Sequence, residues 1–241
     1  MFKNIAVILA GGSGTRFGKE SPKQFTTFQG KMIIEHSIDA FEKNQFIEKI
    51  LVVCGQNYIP DIEQVIKKNQ YKKIDKVLVG GNERYQSSLV AINSAETNDS
   101  LFIHDAVRPL VSQRIITDCV KAMQIYQAVN VGFTPSDTIF KIDEINLISE
   151  VPKRKYLRLG QSPQAFKRDV IKRAYEIALK DPDFSTTDDC GVVQKYLPKI
   201  PIFVVEGEVF NMKLTYQEDL LLFDMLFKMR AAKECKRKVE S

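Results

Sequence analysis

Short apolar runs separated by stretches of helical periodicity constrain this chain more than any other feature. Residues 5–9, 50–54, 77–79, 101–104 and 129–133 are brief and almost wholly apolar, the pattern of strands buried on both faces. Between them, residues 31–44 carry Ile33, Ile34, Ile38 and Phe41 at helical spacing. Residues 61–69, 84–95 and 112–126 also read as helices. Strand and helix in alternation predict an α/β fold, with a mostly parallel sheet and helices on both faces. Ligands of such sheets sit beyond the carboxyl ends of the strands.

The texture changes over residues 137–161. Three short strand-like pieces with charged connections, DTIFKID, LISEV and YLRLG, suggest a β-arm projecting from the sheet. It either meets a second subunit or covers the cleft. Helical patterns return at 166–179 and 187–196, a strand at 202–205, and a closing helix at 216–233. In that helix Leu220, Leu221, Leu222, Phe223 and Leu226 are expected to pack on the sheet. With no internal repeat, low-complexity tract or Pro/Gly linker, residues 1–241 read as one domain with an inserted arm.

The first strand empties into Ala10-Gly11-Gly12-Ser13-Gly14, where small residues let a ligand approach the backbone. Two cations follow, Arg16 and Lys23, on a loop that carries Pro22. A strand, a bare turn and fixed positive charge suit a nucleotide or polyphosphate. A tight strand-to-helix turn with solvated cations is the simpler alternative. The dinucleotide pattern G-x-G-x-x-G fails, because its third glycine would fall on Phe17. The Walker A pattern fails at Ser13 and at Glu20.

Composition removes other classes. The 241 residues are 44% hydrophobic and 27% charged, ordinary for a globular protein. No run approaches a membrane span or a secretory leader. Cys54, Cys119, Cys190 and Cys235 are scattered without a C-x-x-C pair, as expected of reduced thiols in a cytoplasmic protein. His36 and His104 are the only histidines, too few for a histidine metal site. The net charge of +5 partly reflects residues 228–238, a basic helix end. Without interleaved aromatics it does not suggest nucleic acid; small anionic substrates fit better.

The polar residues that matter follow strands. His104-Asp105-Ala106-Val107-Arg108-Pro109 offers either a Mg²⁺ carboxylate completed by phosphate oxygens or an Asp–Arg pair shaping a turn. Gly80-Gly81-Asn82-Glu83-Arg84, with Ser87 beyond it, is either a cradle for a base or a turn opening a helix. Thr186-Thr187-Asp188-Asp189 has the form of a helix N-cap. Lys213 is either functional or an edge-strand charge.

Their joint occurrence is more specific. LAGGSGTRFG…PKQF, GGNERYQSSL, HDAVRP, SDTI, GQSPQAF, TTDD and NMKLT run in order over nearly the whole chain. Together they resemble the polyol-phosphate cytidylyltransferases, which act on ribitol 5-phosphate or 2-C-methyl-D-erythritol 4-phosphate. The resemblance implies a Rossmann-like nucleotidyltransferase fold, often dimeric through the arm, with CTP as substrate and Mg²⁺ as cofactor. It assigns Ala10, Gly11, Gly12, Gly14, Gly81 and Ser87 to CTP, and Arg16, Lys23 and Lys213 to the reacting phosphates. Asp105 would ligate Mg²⁺. Arg108, Thr138, Arg154, Ser162 and Thr187 would line the acceptor side, Arg154 reaching in from the arm of its own or the neighbouring subunit.

The chemistry needs little else. The acceptor is a phosphate monoester with a second pKa of about 6, so it is largely dianionic at neutral pH and requires no general base. Cations and a metal aimed at crowded oxygens are then the catalyst. For the acceptor, LAGG, GQSPQ and the lack of a lysine directly after Asp137-Thr138-Ile139 resemble the ribitol branch, and ribitol 5-phosphate is the expectation. Thr187-Asp188-Asp189 sits closer to the methylerythritol pattern, which is the alternative. Three other classes compete: a non-catalytic nucleotide sensor, a nicotinamide oxidoreductase and a sugar-1-phosphate nucleotidyltransferase using UTP or GTP.

Overall fold

The computed structural model describes residues 3–12 and 22–239, with side chains through Arg230. Gly14 and Arg16 lie outside the described residues. In chain order the elements are β1 (Asn4–Ala10), the two-strand ribbon β2 (Thr27–Phe28) and β3 (Lys31–Met32), α1 (Ile33–Glu42), β4 (Lys49–Cys54) and α2 (Ile59–Asn69). There follow β5 (Ile74–Val79), α3 (Arg84–Ser94), β6 (Ser100–Asp105), α4 (Gln113–Ala122) and β7 (Ala128–Phe133). The last part holds β8 (Lys141–Ile142), β9 (Ile148–Glu150), β10 (Leu159–Lys167), α5 (Arg168–Ala178), α6 (Asp189–Tyr196), β11 (Ile202–Glu206) and α7 (Asp219–Val239).

The seven-strand sheet has the order β11-β7-β10-β6-β1-β4-β5. All neighbours are parallel except β10, which runs antiparallel to both β6 and β7. Alternation along β1 builds the layers. Ala6, Ile8 and Ala10 face one core with Ile34, Ile38 and Phe41 of α1 and Ile115, Ile116 and Cys119 of α4. Ile5, Val7 and Leu9 face the other, with Ile92 of α3, Ile171 and Tyr175 of α5 and Val193 of α6. Burial on both faces is why the strands lack polar alternation. Local signals end the helices: Ser112 Oγ accepts from the Ile115 N–H at the start of α4, and Gln70 closes α2 at φ 53°.

Four expectations need correction. β10 is a nine-residue central strand, so Leu159, Gly160 and Gln161, expected at the end of the arm, belong to the sheet. A register shift between Gln161 and Ala165 accommodates its polar run and proline, and interior hydrogen bonds satisfy the side chains. Tyr156 lies in a single 3-10 turn, not a strand, and the helix expected from 166 begins at Arg168. The closing helix packs on a separate small cluster with Phe28, Ile33, Val107, Leu110 and Leu214. Phe223 and Leu226 are buried there, whereas Leu221 and Leu222 are exposed.

The arm carries the short pair β8–β9, whose residues are all exposed. Among the described residues no helix is long and apolar enough to cross a membrane. Cys54, Cys119 and Cys190 are buried free thiols.

Candidate active site

The carboxyl ends of β1 and β6 and the turn after β5 surround a cleft of about 250 Å³. Ala10, Gly11, Gly12, Lys23, Gly81, Ser87, Asp105 and Lys213 all line it, although they come from segments far apart in the chain. Gln24, Asn82, Glu83 and Arg84 line it as well.

Two glycine turns meet over Ser87. A Cβ on Gly11 would lie 3.0 Å from Ser87 Oγ, and one on Gly80 would lie 2.7 Å from the same atom. A Cβ at Gly80 would clash with the hydroxyl and one at Gly11 would press on it, so both turns pack closely on Ser87. Ser87 is 3% exposed, on the first turn of α3, whose N-terminus is closed by the Glu83 N–H donating to Gln86 Oε1. The positive end of the α3 dipole thus faces the cleft. On the other wall Gln24, 2% exposed, donates from Nε2 to Ala10 O at 2.6 Å and Gly12 O at 2.9 Å. That bond fixes the first glycine turn against the 3-10 turn that presents Lys23.

Asp105 is the electrostatic centre. Lys213 Nζ lies 3.1 Å from its Oδ2, Arg108 Nε 3.4 Å from Oδ2 and Arg84 Nε 3.5 Å from Oδ1. Burial alone would raise this carboxyl, but Lys213, Arg84 and Arg108 hold it well below the usual carboxylate range. Lys213 sits in an irregular segment, not a strand; the neighbouring Leu214 N–H donates to Val107 O and ties that segment to the loop after β6.

A neutral relay supports Asp105 from below. His104 Nε2 donates to Arg108 O, so Nδ1 accepts from the Ser162 hydroxyl at 2.9 Å. The Asp105 N–H donates to Ser162 Oγ. Burial pushes the His104 imidazole down to about 4, which keeps it neutral. Arg108 is clamped by Asn211 O and Gly160 O as well as by Asp105. Ser162 and Arg108 therefore contact Asp105 but do not line the cleft.

Thr138, Arg154 and Thr187 are exposed and none lines the cleft. Thr138 and Arg154 are on the arm; Thr187 precedes α6, where Asp188 is the N-cap and accepts from the Gly191 N–H. Sequence reasoning passed over Arg84 and Gln24, although both stand inside quoted motifs. Asp189, fully buried, accepts from Arg84 Nη1 at 2.6 Å and from the Tyr175 hydroxyl at 2.6 Å.

Comparison with known proteins fits this arrangement. Residues 4–229 match the family model described as IspD: 2-C-methyl-D-erythritol 4-phosphate cytidylyltransferase. The chain belongs to this family. It is a CTP-dependent cytidylyltransferase. One relative, the 2-C-methyl-D-erythritol 4-phosphate cytidylyltransferase of Thermobifida fusca, is 38% identical, over 94% of each chain. Another, the bifunctional ribulose 5-phosphate reductase/CDP-ribitol pyrophosphorylase of Haemophilus influenzae, is also 38% identical. That match covers 95% of this chain but 49% of the relative, so the chain spans about half of that protein. The solved 4-diphosphocytidyl-2C-methyl-D-erythritol synthase of Anaerococcus prevotii superposes on this cytidylyltransferase with a TM-score of 0.84 at 26% identity. The superposition covers 94% of this chain and 96% of that one.

Proposed function

We propose that the enzyme transfers the cytidylyl group of CTP to 2-C-methyl-D-erythritol 4-phosphate and releases pyrophosphate. The observation that carries the reaction class is the convergence of Lys213 and Arg84 on Asp105 in a cleft that Lys23 also lines, beside the two glycine turns packed on Ser87. In this reading the turns and Ser87 hold the base. Lys23 and Lys213 face the phosphates, joined by Arg16. An acceptor phosphate oxygen attacks the α-phosphorus, the bond to the bridging oxygen breaks, and pyrophosphate takes the electron pair. The dianionic acceptor needs no proton acceptor, which agrees with the neutral, buried His104. Thr138, Arg154 and Thr187 hold the acceptor as it approaches, Arg154 from the arm of a partner subunit in a dimer.

Among the described residues no three His, Cys, Asp or Glu side chains cluster for a metal. A lone ionised carboxylate still fits Mg²⁺, which is commonly held by one or two carboxylates plus substrate phosphates. Asp105 would hold it, and the ion would neutralise charge on the triphosphate. The buried free thiols agree with a reducing, cytoplasmic setting.

The sequence texture leaned to ribitol 5-phosphate, but the names of the relatives favour methylerythritol phosphate. The ribitol reading keeps the support of the LAGG and GQSPQ motifs and of the 38% identity to the Haemophilus influenzae protein. Pyrophosphate release, measured with CTP, UTP and GTP against both polyol phosphates, tests the proposal. The expected result is CTP-dependent release with kcat/KM for methylerythritol phosphate at least tenfold above ribitol 5-phosphate. The inverse ratio selects the ribitol reading, and release with UTP or GTP alone overturns both.

A further inference from the structure

We propose that Asp189, acting through Arg84, is a positioning residue that ties the acceptor-side segment 186–188 to the nucleotide-side turn 80–83; this rests on the cytidylyltransferase reading of the cleft. Arg84 is the first residue of α3 and follows the glycine turn directly. Asp189 is the first residue of α6 and follows Thr187 and the capping Asp188. The Arg84 guanidinium spans the gap, with Nη1 on Asp189 and Nε facing Asp105. Burial disfavours its charge, but Asp189 and then Asp105 more than restore it.

Asp189 is held through both carboxylate oxygens and through its backbone. Its second oxygen accepts from Tyr175 on α5, its N–H donates to Gln164 Oε1, and Gln164 Nε2 donates to Asp188 Oδ2. Stability does not require such a pair, because well-packed apolar residues commonly replace buried ion pairs at no loss. What the pair supplies is a rigid link between the start of α3, where Arg84 lines the cleft, and the start of α6. A ligand that orders residues 80–87 must therefore order residues 186–189 as well.

Hydrogen–deuterium exchange of the full chain, with and without CTP, tests this. In wild type, CTP should slow exchange at both 80–88 and 186–191. In Asp189→Asn, and more mildly in Tyr175→Phe, protection should persist at 80–88 and fall at least threefold at 186–191. With whichever polyol phosphate turns over, acceptor KM should rise about tenfold in Asp189→Asn while CTP KM stays within twofold. Arg84→Lys should recover part of that loss relative to Arg84→Met. Protection at 186–191 that is equal in wild type and both variants overturns the link, as does protection in wild type confined to 80–88. CTP that alters neither segment overturns the nucleotide reading and the link together. Tyr175→Phe removes one hydroxyl and decides the matter if Asp189→Asn does not fold.

Discussion

Lys213 Nζ stands 3.1 Å from Asp105 Oδ2, the shortest of the three cationic approaches to that carboxylate. The lysine is more exposed than the other two, at 38% against 29% for Arg84 and 11% for Arg108. It is also the cation whose partners permit it to turn toward a phosphate. Arg108 is clamped by two carbonyls and Arg84 by Asp189. Lys213→Ala should therefore lower kcat/KM by on the order of 10²–10³, the scale for losing one electrostatic donor. Stability should change by less than about 1 kcal/mol, because the pair is partly solvated and two arginines remain on Asp105. Steady-state kinetics beside a thermal melt separates the two effects.

The His104 relay sets how stability depends on pH. The folded imidazole titrates at about 4 and an unfolded one at about 6.5. Between those values the unfolded chain binds the extra proton, so stability is full above pH 6.5 and declines as pH falls toward 4. The loss from this group reaches about 3 kcal/mol at 1.36 kcal/mol per unit. Urea midpoints at pH 7 and pH 4.5 should show that slope. His104→Gln should flatten it while lowering stability at pH 7, because the Ser162 hydroxyl loses its acceptor.

Much of the architecture was legible because burial on both sheet faces leaves an unbroken apolar run, as in β1, β4 and β6. β10 was not legible, since Gln161, Ser162 and Gln164 are polar residues buried for the sake of specific partners. No local pattern announces such partners. The same reason hid Arg84: its ion pair with Asp189 joins two helix starts far apart in sequence, and either residue alone looks like an ordinary first-turn charge. Exposure along α7 misled for a different reason. Leu220, Leu221 and Leu222 are consecutive, so one helical face cannot bury all three.

The acid limb of turnover should belong to the substrate and not to the protein. Asp105 is held below the usual carboxylate range by Lys213, Arg84 and Arg108, so it stays ionised through mild acid. Its contribution to stability is present above the unfolded carboxylate value and fades only as pH falls through the lower folded value. His104 is neutral down to about pH 4. With CTP held saturating, the acceptor phosphate is the reactant that changes charge at a pKa of about 6. Log kcat/KM for the acceptor should fall with unit slope below that pH. A phosphonate acceptor with a higher second pKa should move the limb upward, and a limb that stays in place would assign it to the enzyme.

Gln24 holds the first glycine turn by donating both of its amide protons to carbonyl oxygens, those of Ala10 and Gly12. Gln24→Glu replaces that donor pair with a carboxylate facing two acceptors, in a site only 2% exposed. Each unmade bond costs about 1–3 kcal/mol, and the like-signed oxygens repel besides. Gln24→Ala loses the bonds without adding the repulsion, so at pH 8 it should melt above Gln24→Glu. Both variants should raise CTP KM, because the turn proposed to hold the base is no longer fixed. Protonating the new carboxyl restores one donor, and its folded pKa is raised above the unfolded value of about 4.3. Stability of Gln24→Glu should therefore recover relative to Gln24→Ala as pH falls from 8 to 5. Thermal melts of the two variants across that range check the sign: a constant gap between them would mean that the amide protons do not hold the turn.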